Sequence, residues 1–181
     1  MAGPNGAGKT TLSREEFILD EAIVNADEIA RALPSRSVVE AGRVAVRERR
    51  RLLSSSASFA FETTLAGRRE FALLREARTR EYRIVLHYVG VESPELCRAR
   101  IDERVLSGGH DVPQIDLVRR FTRSLAHLPV AVGLADESVV YDNSSLSGIT
   151  PMARFAAGTL VDVAPRIPRW MERALGPLRK R

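Results

Sequence analysis

Eight consecutive residues near the start of the chain, Gly3, Pro4, Asn5, Gly6, Ala7, Gly8, Lys9 and Thr10, have the types and order needed to grip a row of phosphates. Small residues let successive backbone N–H groups turn inward as an anion nest, and the nest opens onto a helix N-terminus whose dipole favours negative charge. The pattern is G-x-x-x-x-G-K-[ST]: its lysine bridges the β- and γ-phosphates of a nucleoside triphosphate, and the hydroxyl after it ligates Mg²⁺. Lys9 and Thr10 take those places, with Thr11 in the same turn. Of 28 Lys and Arg, only Lys9 and Lys180 are lysines. A compact ammonium therefore stands at the one internal position where a planar guanidinium would fit poorly.

Such a loop is delivered by a buried strand and followed by a helix. "KTTLSREEF" predicts the helix. "EAIVNADEIARAL" predicts a short strand over Ala22–Val24, a turn at Asn25 to Asp27 and a brief helix ended by Pro34. "SVVEAGRVAVRERRRLL" has a helical apolar face, and "SFAFETTL" is a strand running into a Thr-rich turn. The helix "GRREFALLREARTR" follows, then "YRIVLHYVGV", whose continuous apolar run suits a parallel strand covered on both faces. "SPELCRARIDERVL" is a Ser-capped helix, "SGGHDVP" a break, and "QIDLVRRFTRSLAHL" another helix. "ESVVYDNS" is the next strand, and "ARFAAGTLVDV" reads as a single last strand before "PRIPRWMERAL". Strands alternating with helices define an α/β class with a mostly parallel sheet, in the three-layer arrangement of P-loop nucleotide-binding proteins. At 181 residues, without repeat or linker, residues 1–181 read as one domain.

Only Met1 and Ala2 precede the loop, so the strand that should deliver it is missing. Losing five or six buried apolar residues, each worth ~1.5–3 kcal/mol, would cost as much as the ~5–15 kcal/mol stability of a whole domain. The expectation is that Met1 is an internal methionine of a longer natural chain, the alternative being a truncated, inactive remnant.

Net charge is +5 and the pI about 10.1, a balance suited to an anionic ligand. The run "RERRR" (Arg47 to Arg51) has no interleaved aromatic and lies on a helix with an apolar opposite face, so a solvated face is expected and nucleic acid is not. No apolar run approaches the ~20 residues of a membrane span. Cys97 is the sole cysteine, which rules out an internal disulfide and fits a cytoplasmic setting.

Two enzyme classes share the loop. An ABC-type ATPase is suggested by "GPNGAGKTT", by "LSGGH" (Leu106 to His110) and by "VAVGLADES". That machine needs a Gln between loop and signature and a His after the Asp-Glu pair. Here the sole Gln is Gln114, and His87, His110 and His127 all precede Asp136. The parts do not assemble.

In contrast, "GPNGAGKTT", "NADEIA", "FETTLAG", "RVLSGGHDVP" followed by "RRFTRS", and "YDNS" occur in one order over Gly3 to Ser144. In this the chain resembles the zeta toxin family, P-loop kinases that phosphorylate UDP-N-acetylglucosamine. The resemblance implies ATP and Mg²⁺ as cofactors and a UDP-activated amino sugar as acceptor. It makes Asp27 the base for the attacking hydroxyl, with a helix cap as the alternative role. Glu62 becomes the acceptor of substrate hydroxyl hydrogen bonds, aided by Thr63 and Thr64. Arg104 and Arg119 become arginines of a lid over the phosphates, with Arg100 and Arg120 as neighbouring candidates. His110 would stabilise the lid, Asn143 would meet adenine or ribose, and a small antitoxin would be the partner. A nucleotide-binding module without turnover is the alternative from a different functional class.

Overall fold

The computed structural model describes residues 1–16, 22–35 and 37–176. Two compact units form, one of Met1–Ser13 with Thr63–Arg181, the other of Arg14–Glu62.

The larger unit starts with the loop and the first five residues of helix α1 (Lys9–Glu16), whose last three fall in the smaller unit; Phe17, expected to continue that helix, lies outside the described residues. It continues through α4 (Arg69–Thr79), β3 (Val85–Gly90), α5 (Pro94–Leu106), α6 (Gln114–Leu134), β4 (Glu137–Asp142), β5 (Thr150–Ala156), β6 (Thr159–Val163) and α7 (Arg169–Leu175). Its strands are ordered β3-β4-β5-β6. β3 and β4 are parallel, whereas β4–β5 and β5–β6 are antiparallel. The expected single last strand is therefore a hairpin. The chain reverses at Ala157 and Gly158, both at positive φ (46° and 75°), and "ARFAAGTLVDV" divides between two strands. Helix α6 also outruns its expected end at Leu128 and passes through Pro129. Buried Leu117, Phe121, Ser124, Leu128 and Ala131 recur at three- and four-residue spacing across the proline, so the buried face carries the helix on. "VAVGL", within the stretch that resembled the ATPase strand, is thus helical.

Met1 and Ala2 run between β3 and Thr63. Ala2 makes parallel bridges to both Thr63 and Tyr88. Its N–H donates to His87 O at 2.7 Å, its carbonyl accepts from Val89 N at 2.9 Å, and Met1 O accepts from Thr63 N at 3.0 Å. One apolar cluster lies behind the loop: Ala7, Leu12, Val89, Val91, Cys97, Ile101, Val112, Leu117, Phe121 and Tyr141. Cys97 is fully buried there. Burial pushes its thiol up to about 11, although the Lys9 and Arg100 charges pull the other way. A neutral acid whose pKa rises on folding stabilises below its unfolded pKa and loses that contribution as pH rises. The stability advantage over Cys97→Ala should therefore hold to about pH 9 and narrow as pH approaches about 11. Urea unfolding of both proteins across that range tests this; a constant gap would contradict it.

The smaller unit comprises β1 (Ala22–Val24), α2 (Ala26–Ala32), α3 (Val38–Ser54) and β2 (Phe59–Phe61). β1 and β2 pair in parallel, Val24 opposite Phe61. Val24, Ala45 and Leu52 form its core, with Ala26, Ile29, Ala57, Phe59 and Phe61 packed around them. The turn expected at Asn25 to Asp27 is shorter than anticipated, because α2 begins at Ala26. Among the described residues no helix is long and apolar enough to cross a membrane.

Candidate active site

The loop is held against β3 and against Asn143 at the end of β4. At Gly3, φ is +138° and an added Cβ would stand 2.1 Å from the Val89 carbonyl oxygen, so no larger residue fits beside β3. At Gly8, φ is +99° and a Cβ would meet Asn143 Nδ2 at 2.4 Å. Lys9 opens α1 and folds back over the loop, its Nζ donating to Gly3 O at 2.9 Å and to Pro4 O at 2.8 Å. Thr10 lies in the same first turn, while Thr11 is exposed.

The end of β4 is a bracket. Asn143 Nδ2 donates to Ala7 O at 2.9 Å, and Asn143 O accepts from Arg100 Nη2 at 2.7 Å. Asn143 thus meets the loop itself, a contact not anticipated beside its expected role toward adenine or ribose. On either side of it, Asp142 Oδ1 accepts from Trp170 Nε1 at 2.7 Å and from Ser144 Oγ at 2.6 Å, and Ser144 Oγ accepts from Glu92 N at 2.9 Å. A hydrogen bond of this kind contributes about 1 kcal/mol. On the expectation that the loop binds ATP, Asn143→Ala should weaken that binding about fivefold while the protein stays folded; calorimetric titration would expose the error if affinity were unchanged.

Arg100, Arg104 and Arg119, singled out from sequence, and Arg98 beside them each have defined partners. Arg100 reaches the bracket, with Nη1 buried and lacking a hydrogen-bond partner among the described residues. Arg104 Nη2 donates to His110 O at 2.7 Å, which fastens the "SGGHDVP" segment to the end of α5. Arg98, not singled out from sequence, does the same from six residues earlier on α5. It donates to Val112 O and pairs with Asp102 and Asp111. The Arg98 hydrogen bond, then the Val112 amide, holds the Asp111 carboxyl below its usual range. Arg119 is 53% exposed and pairs with Asp116 at 2.6 Å, one turn back on α6.

In the smaller unit, parallel pairing puts the residues after β1 and β2 at the same carboxyl end, the end at which α/β proteins bind ligands. Asp27 is there, exposed in the first turn of α2. Capping falls to Asn25, whose Oδ1 accepts from Asp27 N at 2.9 Å and from Glu28 N at 3.4 Å. The capping alternative for Asp27 is thereby taken by its neighbour. Glu62 follows β2, its N–H on Val24 O at 3.4 Å. Its carbonyl accepts from Arg49 Nη2 at 2.9 Å. Arg49 is buried, at 9% exposure, with its guanidinium 4.5 Å above the Phe61 ring. The solvated reading of "RERRR" holds for Arg47, Arg50 and Arg51, which are exposed, and is corrected at Arg49, which turns inward.

The turn after Glu62 belongs to the larger unit. Thr63 Oγ1 donates to Glu70 Oε1 at 3.1 Å and accepts from Leu65 N at 3.0 Å. Leu65 is buried with φ +56°, and its carbonyl meets His127 Nδ1 at 2.8 Å. Thr63 therefore builds the turn with its hydroxyl.

No family model matches the chain. Among solved structures, the AvrRxo1-ORF1:-ORF2 complex with ATP superposes with a TM-score of 0.71 at 15% identity, covering 88% of this chain and 59% of that one. The same complex with sulphate ions gives 0.72 at 16%, covering 99% and 63%. A structure from the PezAT chromosomal toxin-antitoxin system of Streptococcus pneumoniae gives 0.59 at 18%, covering 87% and 72%. The chain thus spans about three fifths of the length of the AvrRxo1 chains it matches. The fold is that of the zeta toxin family, a P-loop α/β fold. An uncharacterized protein of Haemophilus influenzae is 30% identical over 121 residues, which make up 65% of this chain and 86% of that protein. The chain belongs to the same family as this Haemophilus influenzae protein.

Proposed function

We propose that the chain is an ATP-dependent phosphotransferase of the zeta toxin kind. It transfers the γ-phosphoryl group to a hydroxyl of a small acceptor, a UDP-activated amino sugar such as UDP-N-acetylglucosamine. The observation that carries this is the phosphate loop itself. It is a nest of small residues held by Val89 and Asn143, with one ammonium drawn across it. Support comes also from the zeta toxin-family fold and from the AvrRxo1 complex having been crystallised with ATP.

In this reading Lys9 exchanges the Gly3 and Pro4 carbonyls for β- and γ-phosphate oxygens. Asp27 accepts the proton of the sugar hydroxyl as its oxygen bonds to the γ-phosphorus and the bond from that phosphorus to the ADP oxygen breaks. Glu62 orients the sugar's hydroxyls, together with Thr64. Arg104 and Arg119 meet the charge spread over the transferring group once they leave His110 O and Asp116, and Arg100 holds the loop beside them. Among the described residues no three His, Cys, Asp or Glu cluster to hold a metal on their own. The Thr10 hydroxyl is a hard oxygen donor suited to a Mg²⁺ ion that arrives with the triphosphate and keeps its waters. That ion would neutralise phosphate charge.

A small antitoxin protein is the expected partner, by analogy with the toxin-antitoxin system of which PezAT is the named example. The test is incubation with ATP, Mg²⁺ and a panel of nucleotide sugars, followed by mass spectrometry. A UDP-amino sugar carrying one added phosphate is expected. ATP binding without any phosphorylated sugar would leave a nucleotide-binding module instead.

A further inference from the structure

We propose that Arg49 is a positioning residue that sets the direction of the Glu62 side chain at the end of β2. The proposal rests on the reading of Glu62 as the carboxylate that receives the acceptor's hydroxyls.

Helix α3 buries a stripe at four-residue spacing, Ala41, Ala45, Arg49 and Leu53. Three of these four are apolar, and an aliphatic residue at 49 would complete the stripe. A guanidinium there instead is costly, because burying a charge away from water carries a penalty that good partners only partly offset. Its contacts lie at the strand end. The planar group stacks 4.5 Å over Phe61, the last residue of β2, and Nη2 binds the carbonyl of Glu62, the residue after it. The Glu62 amide is held from the other side by Val24 O. Both backbone polar groups of Glu62 are thus committed, one to β1 and one to Arg49. With its peptide planes fixed, the Cα–Cβ vector of Glu62 is fixed too. A lysine keeps the charge but lacks the planar face and the fork that reaches carbonyl and ring together. A carboxylate turned away from the acceptor's hydroxyls loses hydrogen bonds to a charged group, each worth about tenfold or more in affinity.

The test compares Arg49→Lys, Arg49→Met, Glu62→Gln and the double variant Arg49→Lys with Glu62→Gln. The expected result for Arg49→Lys is a KM for the nucleotide sugar raised about tenfold. Its kcat, its ATP affinity and its melting temperature should change little. Arg49→Met should give the same KM with stability kept or raised, since it fills the stripe. The double variant should be no worse than Glu62→Gln alone. Should Arg49→Lys lower stability, ATP affinity and sugar turnover together, or add its full loss on top of Glu62→Gln, the residue only holds the core and the proposal fails.

Failure of the functional reading looks different: the unmodified protein would then phosphorylate no sugar. In that case the carboxyl carbon of Glu62 in glutamate-labelled protein supplies the readout. Arg49→Lys should shift the Glu62 signal and leave that of Glu70 in place. An unmoved Glu62 signal would overturn the assignment of Arg49 whatever the reaction.

Discussion

Asp27→Asn is expected to lower phosphotransfer by about 10²–10⁴-fold, the range for loss of a general base, while ATP affinity stays within about twofold. The local structure makes this a clean experiment. An aspartate beginning a short helix usually stabilises it through its own cap, so removing its charge would confuse chemistry with folding. Here Asn25 is the cap, and its Oδ1 receives the amides of Asp27 and Glu28. Asp27 keeps only its place in the first turn, where the helix dipole favours a carboxylate by a few tenths of a kcal/mol. Asparagine retains the shape and loses the basicity. Quenched-flow measurement of phosphorylated sugar, with calorimetry for ATP, separates the two effects. Retention of full turnover would show that another group takes the proton.

The second large effect is on the fold. Gly3→Ala should destabilise the protein by about 3 kcal/mol or more, beyond the usual cost of a surface substitution. The added Cβ would lie 2.1 Å from Val89 O, a backbone atom of β3 that cannot swing away as a side chain can. Next to it, Val89 N donates to Ala2 O, so relief of the clash breaks the contact that seats the start of the chain. Gly8→Ala provides the contrast. Its Cβ would strike Asn143 Nδ2 at 2.4 Å, and a side chain can rotate. That variant should fold, unlatch the bracket and bind ATP poorly. Urea unfolding and nucleotide titration of both proteins test the pair; equal stabilities would refute the difference assigned to backbone and side-chain obstruction.

What the sequence made legible follows from how each feature is encoded. The phosphate loop is contiguous, and its residue types follow from local backbone geometry, so Gly3 to Thr10 could be read off directly. The parallel pairs also announce themselves, through apolar runs such as "IVLHYVGV". Features that depend on which face of a helix turns inward were harder. Arg49 sits in a run of charges, where a solvated surface is the usual outcome. Only the stripe from Ala41 through Ala45 to Leu53 marks it as inward, and that signal was present in the spacing. Arg98 and Arg100 were less accessible still, because their partners, Val112, Asp111 and Asn143, are brought to α5 by chain folding rather than by local pattern. The hairpin was missed because Ala157 takes a left-handed conformation that its residue type does not advertise, so the turn was signalled by Gly158 alone. The extension of α6 through Pro129 illustrates the converse: a strong local breaker yields when the buried face on both sides continues.

Trp170 is the single tryptophan of the chain, and its indole N–H is bound to Asp142, the residue before the one that latches Ala7. The molecule therefore carries its own optical probe two links from the phosphate loop. Emission from that indole gives a label-free signal in rapid mixing, by which the proposed binding of ATP can be sought and timed in unmodified protein.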